Sequence, residues 1–219
     1  MYENISTIEM TFVNAFLVKV NDGFILIDTG LSLFWKTLED KLINAGCLPG
    51  NLKLVIITHG DFDHTGNCAK LQQKYNCKIA MHKDDAFLAE GGPSPKRKIR
   101  SFKAKIFMLL RRLKRRKLPY VAFKPDFFLT DNQNLSEFGF NATVLHIPGH
   151  TKGSIGILTN DGDLFAGDTF TNRKKPDGAT YIENEIELKN SVERLKKLNI
   201  KTIYPGHGKP FEAALLFSI

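Results

Sequence analysis

The apolar positions of this chain fall into short blocks with two different periods. Val13 to Val20 (VNAFLVKV) is rich in β-branched and aromatic side chains, Asn21-Asp22-Gly23 is a turn signal, and Phe24 to Asp28 (FILID) resumes an extended run. Beyond Thr29-Gly30, Ser32 stands where a helix cap is expected, and Leu33, Leu38, Leu42 and Ile43 keep helical spacing as far as Gly46. Leu52 to Ile57 (LKLVII) is nearly continuous, the pattern of a buried strand. Further strands are predicted over 78–81, 127–129, 143–147, 154–158, 163–166 and 200–204, with further helices over about 67–75 and 183–198. This alternation predicts one mixed αβ layered domain over residues 1–219, with no internal repeat and no linker.

Residues 93–118 differ in kind. Pro93 and Pro95 precede Ile99, Phe102, Ile106, Leu109 and Leu113, spaced as the apolar seam of an amphipathic helix over 96–117 that Pro119 ends. Lys and Arg fill the other faces. The net charge of +8 belongs to this segment, which holds twelve basic residues and no acidic one, so the remainder is net negative. A uniformly basic nucleic-acid surface is therefore not expected. The segment is read as a helical insertion that the metal site does not need for assembly. Three roles suit it: packing on the domain, a lid that attracts anionic small substrates, or peripheral contact with an anionic membrane through 96–117.

Composition adds exclusions. At 42% hydrophobic and 25% charged, the 219 residues suit a globular chain with a sizeable core. No secretory signal and no membrane-length apolar run are visible, and Cys47, Cys68 and Cys77 form no metal-type pair, so a cytoplasmic protein with reduced thiols is expected.

The chemistry is concentrated in four short segments. Thr58 to Gly66 (THGDFDHTG) places His59, Asp61, Asp63 and His64 within six residues after a strand. Pro148-Gly149-His150, Gly167-Asp168 and Pro205-Gly206-His207-Gly208 each set one more ligand type beside glycine. Imidazole and carboxylate together suit borderline divalent metals, and seven such groups match two ions sharing one carboxylate. His82, read as opening a helical stretch, and His146, in an apolar strand, are assigned structural or surface roles.

At these residues the chain resembles the metallo-β-lactamase-fold hydrolases, whose signature is HxHxDH followed by a His, a bridging Asp and a last His. His59, Asp63 and His64 match the first motif, and His150, Asp168 and His207 match the rest. The resemblance implies a four-layer αβ/βα sandwich with a dinuclear site at one edge. Metal one would take His59, Asp61 and His150, and metal two Asp63, His64 and His207, with Asp168 bridging. Asp63 and Asp168 are the carboxylates expected to carry catalysis, and Asp28 is expected to orient a ligating His. The implied cofactor is a pair of divalent ions, zinc first, with iron or manganese as alternatives. The implied reaction is attack by a metal-bridging hydroxide on an ester, thioester, lactone or phosphodiester of a small molecule. Two contrasting readings are a di-iron redox protein related to flavodiiron oxidoreductases and a non-catalytic metal-binding module.

One position departs from the signature. Asp61 stands where the family has its second His, adding a negative charge at metal one that should make the bound water less acidic. On sequence alone, Asp61→His restores the usual ligand and should hold or raise zinc occupancy.

Overall fold

The computed structural model describes residues 4–100, 106 and 120–217. Two six-stranded sheets face each other. The first runs β1 (Ile5–Met10), β2 (Val13–Val20), β3 (Gly23–Ile27), β4 (Leu52–Ile56), β5 (Lys78–His82) and β7 (Phe127–Leu129), antiparallel at the N-terminal hairpin and parallel from β3 onward. The second has the order β14 (Phe211–Glu212), β13 (Thr202–Gly208), β10 (Asp163–Asn172), β9 (Ile155–Thr159) and β8 (Ala142–His146), with β11 (Asp177–Gly178) paired to β10. A separate two-stranded ribbon joins β6 (Lys98–Ile99) to β12 (Tyr181–Ile182).

Alternation along the strands explains the layers. Phe16, Val18, Ile25, Ile27, Leu54 and Ile56 point between the sheets and meet Val144, Ile155, Ile157, Phe165 and Tyr204. Their neighbours Leu17, Leu26 and Val55 point outward against α1 (Trp35–Asn44) and α3 (Cys68–Tyr75), through Leu38, Leu42, Leu71 and Tyr75. The second sheet buries Leu145, Leu164 and Ile203 against Leu195 of α5 (Glu185–Leu195). A strand covered on both faces must be apolar on both, which is why β4 reads as a continuous run. The result is the helix–sheet–sheet–helix sandwich expected.

Several boundaries move. β10 runs on to Asn172 and β13 to Gly208, so Asp168 and His207 lie within strands, where register shifts between β10 and β13 at Gly167 bend the pairing. A short helix, α2 (Phe62–Thr65), forms inside the expected loop. His82 ends β5 and caps the helical stretch expected there, which is a 3-10 turn over Lys83–Asp85 that runs into α4 (Ala86–Ala89). The predicted helix over 96–117 fails at its start, because Lys98 and Ile99 are extended and bonded to Ile182 and Tyr181. The rest of that helix, apart from the helical and exposed Ile106, lies outside the described residues, and with it the proposed membrane-facing seam. Cys47, Cys68 and Cys77 are free and buried. Among the described residues no helix is long and apolar enough to cross a membrane.

Candidate metal centre

The seven candidate side chains meet at one edge of the sandwich. His59, Asp61, Asp63 and His64 follow β4, His150 follows β8, and Asp168 and His207 come from β10 and β13. Close approach of these strands depends on glycine. A Cβ on Gly206 would lie 2.5 Å from Asp168 Oδ1 and 2.6 Å from His64 Cε1. Gly149, at φ +132°, packs on the backbone of Leu188, where a Cβ would fall 2.4 Å from its nitrogen.

Each of the four histidines is fixed from behind through Nδ1. His64 Nδ1 lies 2.8 Å from Asp28 Oδ2, a buried acceptor. His150 Nδ1 lies 2.7 Å from the Tyr181 carbonyl oxygen, and His207 Nδ1 is bonded to the Phe12 carbonyl oxygen. His59 Nδ1 lies 3.0 Å from the Thr58 hydroxyl, whose single proton is donated to Asp28 Oδ2 at 2.8 Å. Every partner is therefore an acceptor, so each Nδ1 carries the proton and each Nε2 turns its lone pair to the centre. Asp28 is the hub of this scaffold: it also accepts from the Thr58 backbone N–H at 2.8 Å. It adopts φ +58°, a left-handed conformation that Asp tolerates better than most residues and that is typical of strained functional turns.

Those lone pairs face oxygen atoms. His64 Nε2 is 3.3 Å from Asp168 Oδ1, and His207 Nε2 is 3.2 Å from Asp168 Oδ2 and 3.5 Å from Asp63 Oδ2. His150 Nε2 is 3.1 Å from Asp61 Oδ2 and 3.8 Å from Asp168 Oδ2, while His59 Nε2 is 3.5 Å from Asp61 Oδ2. His59 Nε2, His64 Nε2 and Asp168 Oδ1 are buried with no hydrogen-bond partner. Acceptors facing acceptors in a buried site repel unless a cation lies between them. Protonation is the only other remedy, and the titration tendencies show that pressure. Burial works against a charged His64, yet Asp28 and Asp168 raise its pKa well above the ordinary value; Asp61 and Asp168 do the same, less strongly, for His150. His59 goes the other way, lowered by burial and by His64. Burial opposes ionisation of Asp168 and Asp61 as well, but the surrounding histidines, and Arg97 for Asp61, hold both carboxyls well below the usual range.

Ligand atoms of His59, His150 and Asp168, and again of Asp63, His64 and His207, lie within 4.8 Å of one another. Each set therefore fits one divalent ion by donor type and spacing. Asp61 borders the first set but is already engaged. Arg97 Nη1 and Nη2 donate to its two oxygens at 2.5 and 2.8 Å in a buried fork. Nothing in the helical reading of 96–117 pointed to this contact. Arg97 is brought in by the ribbon in which Ile99 and Lys98 pair with Tyr181 and Ile182. Thr58 and the carbonyl groups of Phe12 and Tyr181 also escaped the sequence reading, because a hydroxyl or peptide group carries no motif.

A third group, His82, Asp84 and His146, also brings ligand atoms within 4.8 Å. The two imidazoles are stacked, with centroids 4.1 Å apart and planes 11° from parallel. An ion bound to imidazole lies in the plane of its ring, and two parallel stacked planes share no such point. His82 instead accepts from the Asp84 N–H, and His146 Nε2 bonds the Lys152 carbonyl oxygen, in keeping with structural roles.

Comparison with known proteins agrees with this geometry. The family model described as the metallo-beta-lactamase superfamily matches residues 9–207. The chain is 34% identical over 122 residues to hydroxyacylglutathione hydrolase GloC of Haemophilus influenzae, a match covering 54% of this chain and 50% of that protein. It is 26% identical to the bovine acyl-coenzyme A thioesterase MBLAC2, covering 94% of this chain and 76% of the relative. Among solved structures it superposes on TTHA1623 in a di-iron-bound form with a TM-score of 0.71 and 25% identity, covering 96% of this chain and 95% of that one.

Proposed function

Because this chain belongs to the metallo-beta-lactamase superfamily, we propose that it is a dinuclear metal-dependent hydrolase of small-molecule thioesters. The observation that carries the proposal is the inward convergence of four Nε2 lone pairs on three carboxylates, with His59 Nε2, His64 Nε2 and Asp168 Oδ1 left buried and unpartnered. His59, His150 and Asp61 would hold one ion, Asp63, His64 and His207 the other, and Asp168 both. Such a pair supplies Lewis acidity and lowers the pKa of water towards neutrality.

The chain's own groups have separate tasks. Asp28, Thr58 and the carbonyl oxygens of Phe12 and Tyr181 hold the four imidazoles in one tautomer. Asp61 and Asp168 stay ionised near neutral pH and act as anions, not as proton donors. A thiolate is a leaving group that departs without such a donor, since thiols ionise near ~8.5. Two of the relatives are named for thioester substrates, hydroxyacylglutathione and acyl-coenzyme A, which supports this class over lactones and phosphodiesters.

Elemental analysis of the purified chain, with turnover of hydroxyacylglutathione, acyl-coenzyme A, lactone and phosphodiester substrates, tests the proposal. About two ions per chain, with thioester turnover abolished by chelation and restored by metal, is the expected result. A chain that holds no metal after reconstitution would sink it.

A further inference from the structure

We infer that Arg97 and Asp61 form a single, electrically neutral unit that takes the place of an imidazole at the first metal position. The inference rests on the dinuclear reading above and adds a charge-balancing residue to it. Asp61 Oδ2 lies 3.1 Å from His150 Nε2 and 3.5 Å from His59 Nε2, so this oxygen borders the position an ion would take. Both Asp61 oxygens also accept from Arg97, at 2.5 and 2.8 Å. A carboxylate has about four lone-pair sites, so one oxygen serves the guanidinium and an ion together.

Burial makes the two charges interdependent. The Arg97 side chain is 10% exposed and that of Asp61 13%. A buried guanidinium or carboxylate is tolerated only beside its partner. The ribbon that delivers Arg97 is anchored independently of Asp61, by the β6–β12 pairing, by the Arg100 N–H donating to the Thr180 carbonyl oxygen, and by the Lys98–Glu185 ion pair. The same ribbon carries the Tyr181 carbonyl that fixes His150. The positive charge is therefore part of the site's wall. It offsets the negative charge by which Asp61 would otherwise depress the acidity of bound water. It also reverses the expectation for Asp61→His, which would leave a buried, unpaired guanidinium beside a dication.

A charge series gives the test. Zinc affinity at the more weakly held position, measured by chelator competition, should follow the charge of the pair: Arg97→Gln tighter than the parent, Asp61→His weaker by ~10-fold or more, and Asp61→His/Arg97→Gln back within a few-fold of the parent. Arg97→Lys keeps the charge and should remain close to the parent. The metal-free proteins supply a second readout: both single variants should melt below the parent, and the double variant should recover. Weaker zinc binding in Arg97→Gln, or an Asp61→His protein that binds zinc as well as the parent, would overturn the inference. So would a double variant no better than Asp61→His. A metal-free Asp61→His too unstable to measure leaves Arg97→Gln and Arg97→Lys to decide. A parent that holds no ion at all would instead sink the dinuclear reading.

Discussion

The two halves of the candidate metal centre are built differently. Around Asp63, His64 and His207, support comes from the two central sheets: Asp28 at the end of β3, the Phe12 carbonyl in the β1–β2 turn, and strand β13 itself. Around His59, Asp61 and His150, support comes partly from outside the sandwich, through Arg97 and the Tyr181 carbonyl on the small β6–β12 ribbon. The first half uses one buried carboxylate behind one imidazole. The second adds a buried ion pair, the costlier device, since each of its charges depends on the other. The lesson is that a signature can be altered by one residue when a segment outside the signature supplies the compensating charge.

Breaking what the halves share should have the largest effect. Asp168 lies 3.2 Å from His207 Nε2, 3.3 Å from His64 Nε2 and 3.8 Å from His150 Nε2. Asp168→Ala should cut thioester turnover by ~10³-fold or more, the scale of several kcal/mol of lost Lewis-acid stabilisation, and should lower metal content at both positions. Steady-state kinetics with elemental analysis checks both.

Asp28→Ala probes the sheet-supported half. It removes the acceptor behind His64 and leaves the Thr58 N–H and hydroxyl without their partner. Metal affinity should fall by ~10- to 100-fold, the usual cost of losing an outer partner of a ligand. The Asp63–His64–His207 position should lose its ion first, which cobalt substitution and absorption spectra would resolve. Equal loss at both positions would show that the halves are not separable.

The smallest effect should come from a carboxylate remote from both halves. Burial disfavours ionised Asp126, but the Ile79 N–H at 2.8 Å and Lys78 at 2.9 Å outweigh it and lower its pKa. A depressed folded-state pKa contributes stability that is complete above the ordinary carboxylate pKa and is lost as pH falls through the folded value. Asp126→Asn should therefore cost ~1 kcal/mol near neutral pH, flatten the acid limb of the stability curve, and leave metal content unchanged. Urea unfolding at several pH values is the measurement.

The sequence by itself determined the central strands β2 to β5, β7 to β10 and β13 and the helices α1, α3 and α5, and it singled out seven groups as candidate ligands. Continuous apolar runs such as Leu52–Ile57 report burial on two faces, and His or Asp beside glycine after a strand reports a turn that exposes a ligand. Asp28 was legible only through the family resemblance, which implied a strand-end Asp that orients a ligating His. Tertiary structure alone decided how those groups are held and charged. Carbonyl groups of Phe12 and Tyr181 are backbone, identical in every residue, so only their position identifies them. Arg97 stood among twelve basic residues, and helical periodicity counted it as one more solvated cation. Its neighbours instead pair with a strand more than eighty residues downstream, and that long-range pairing carries its charge into the site.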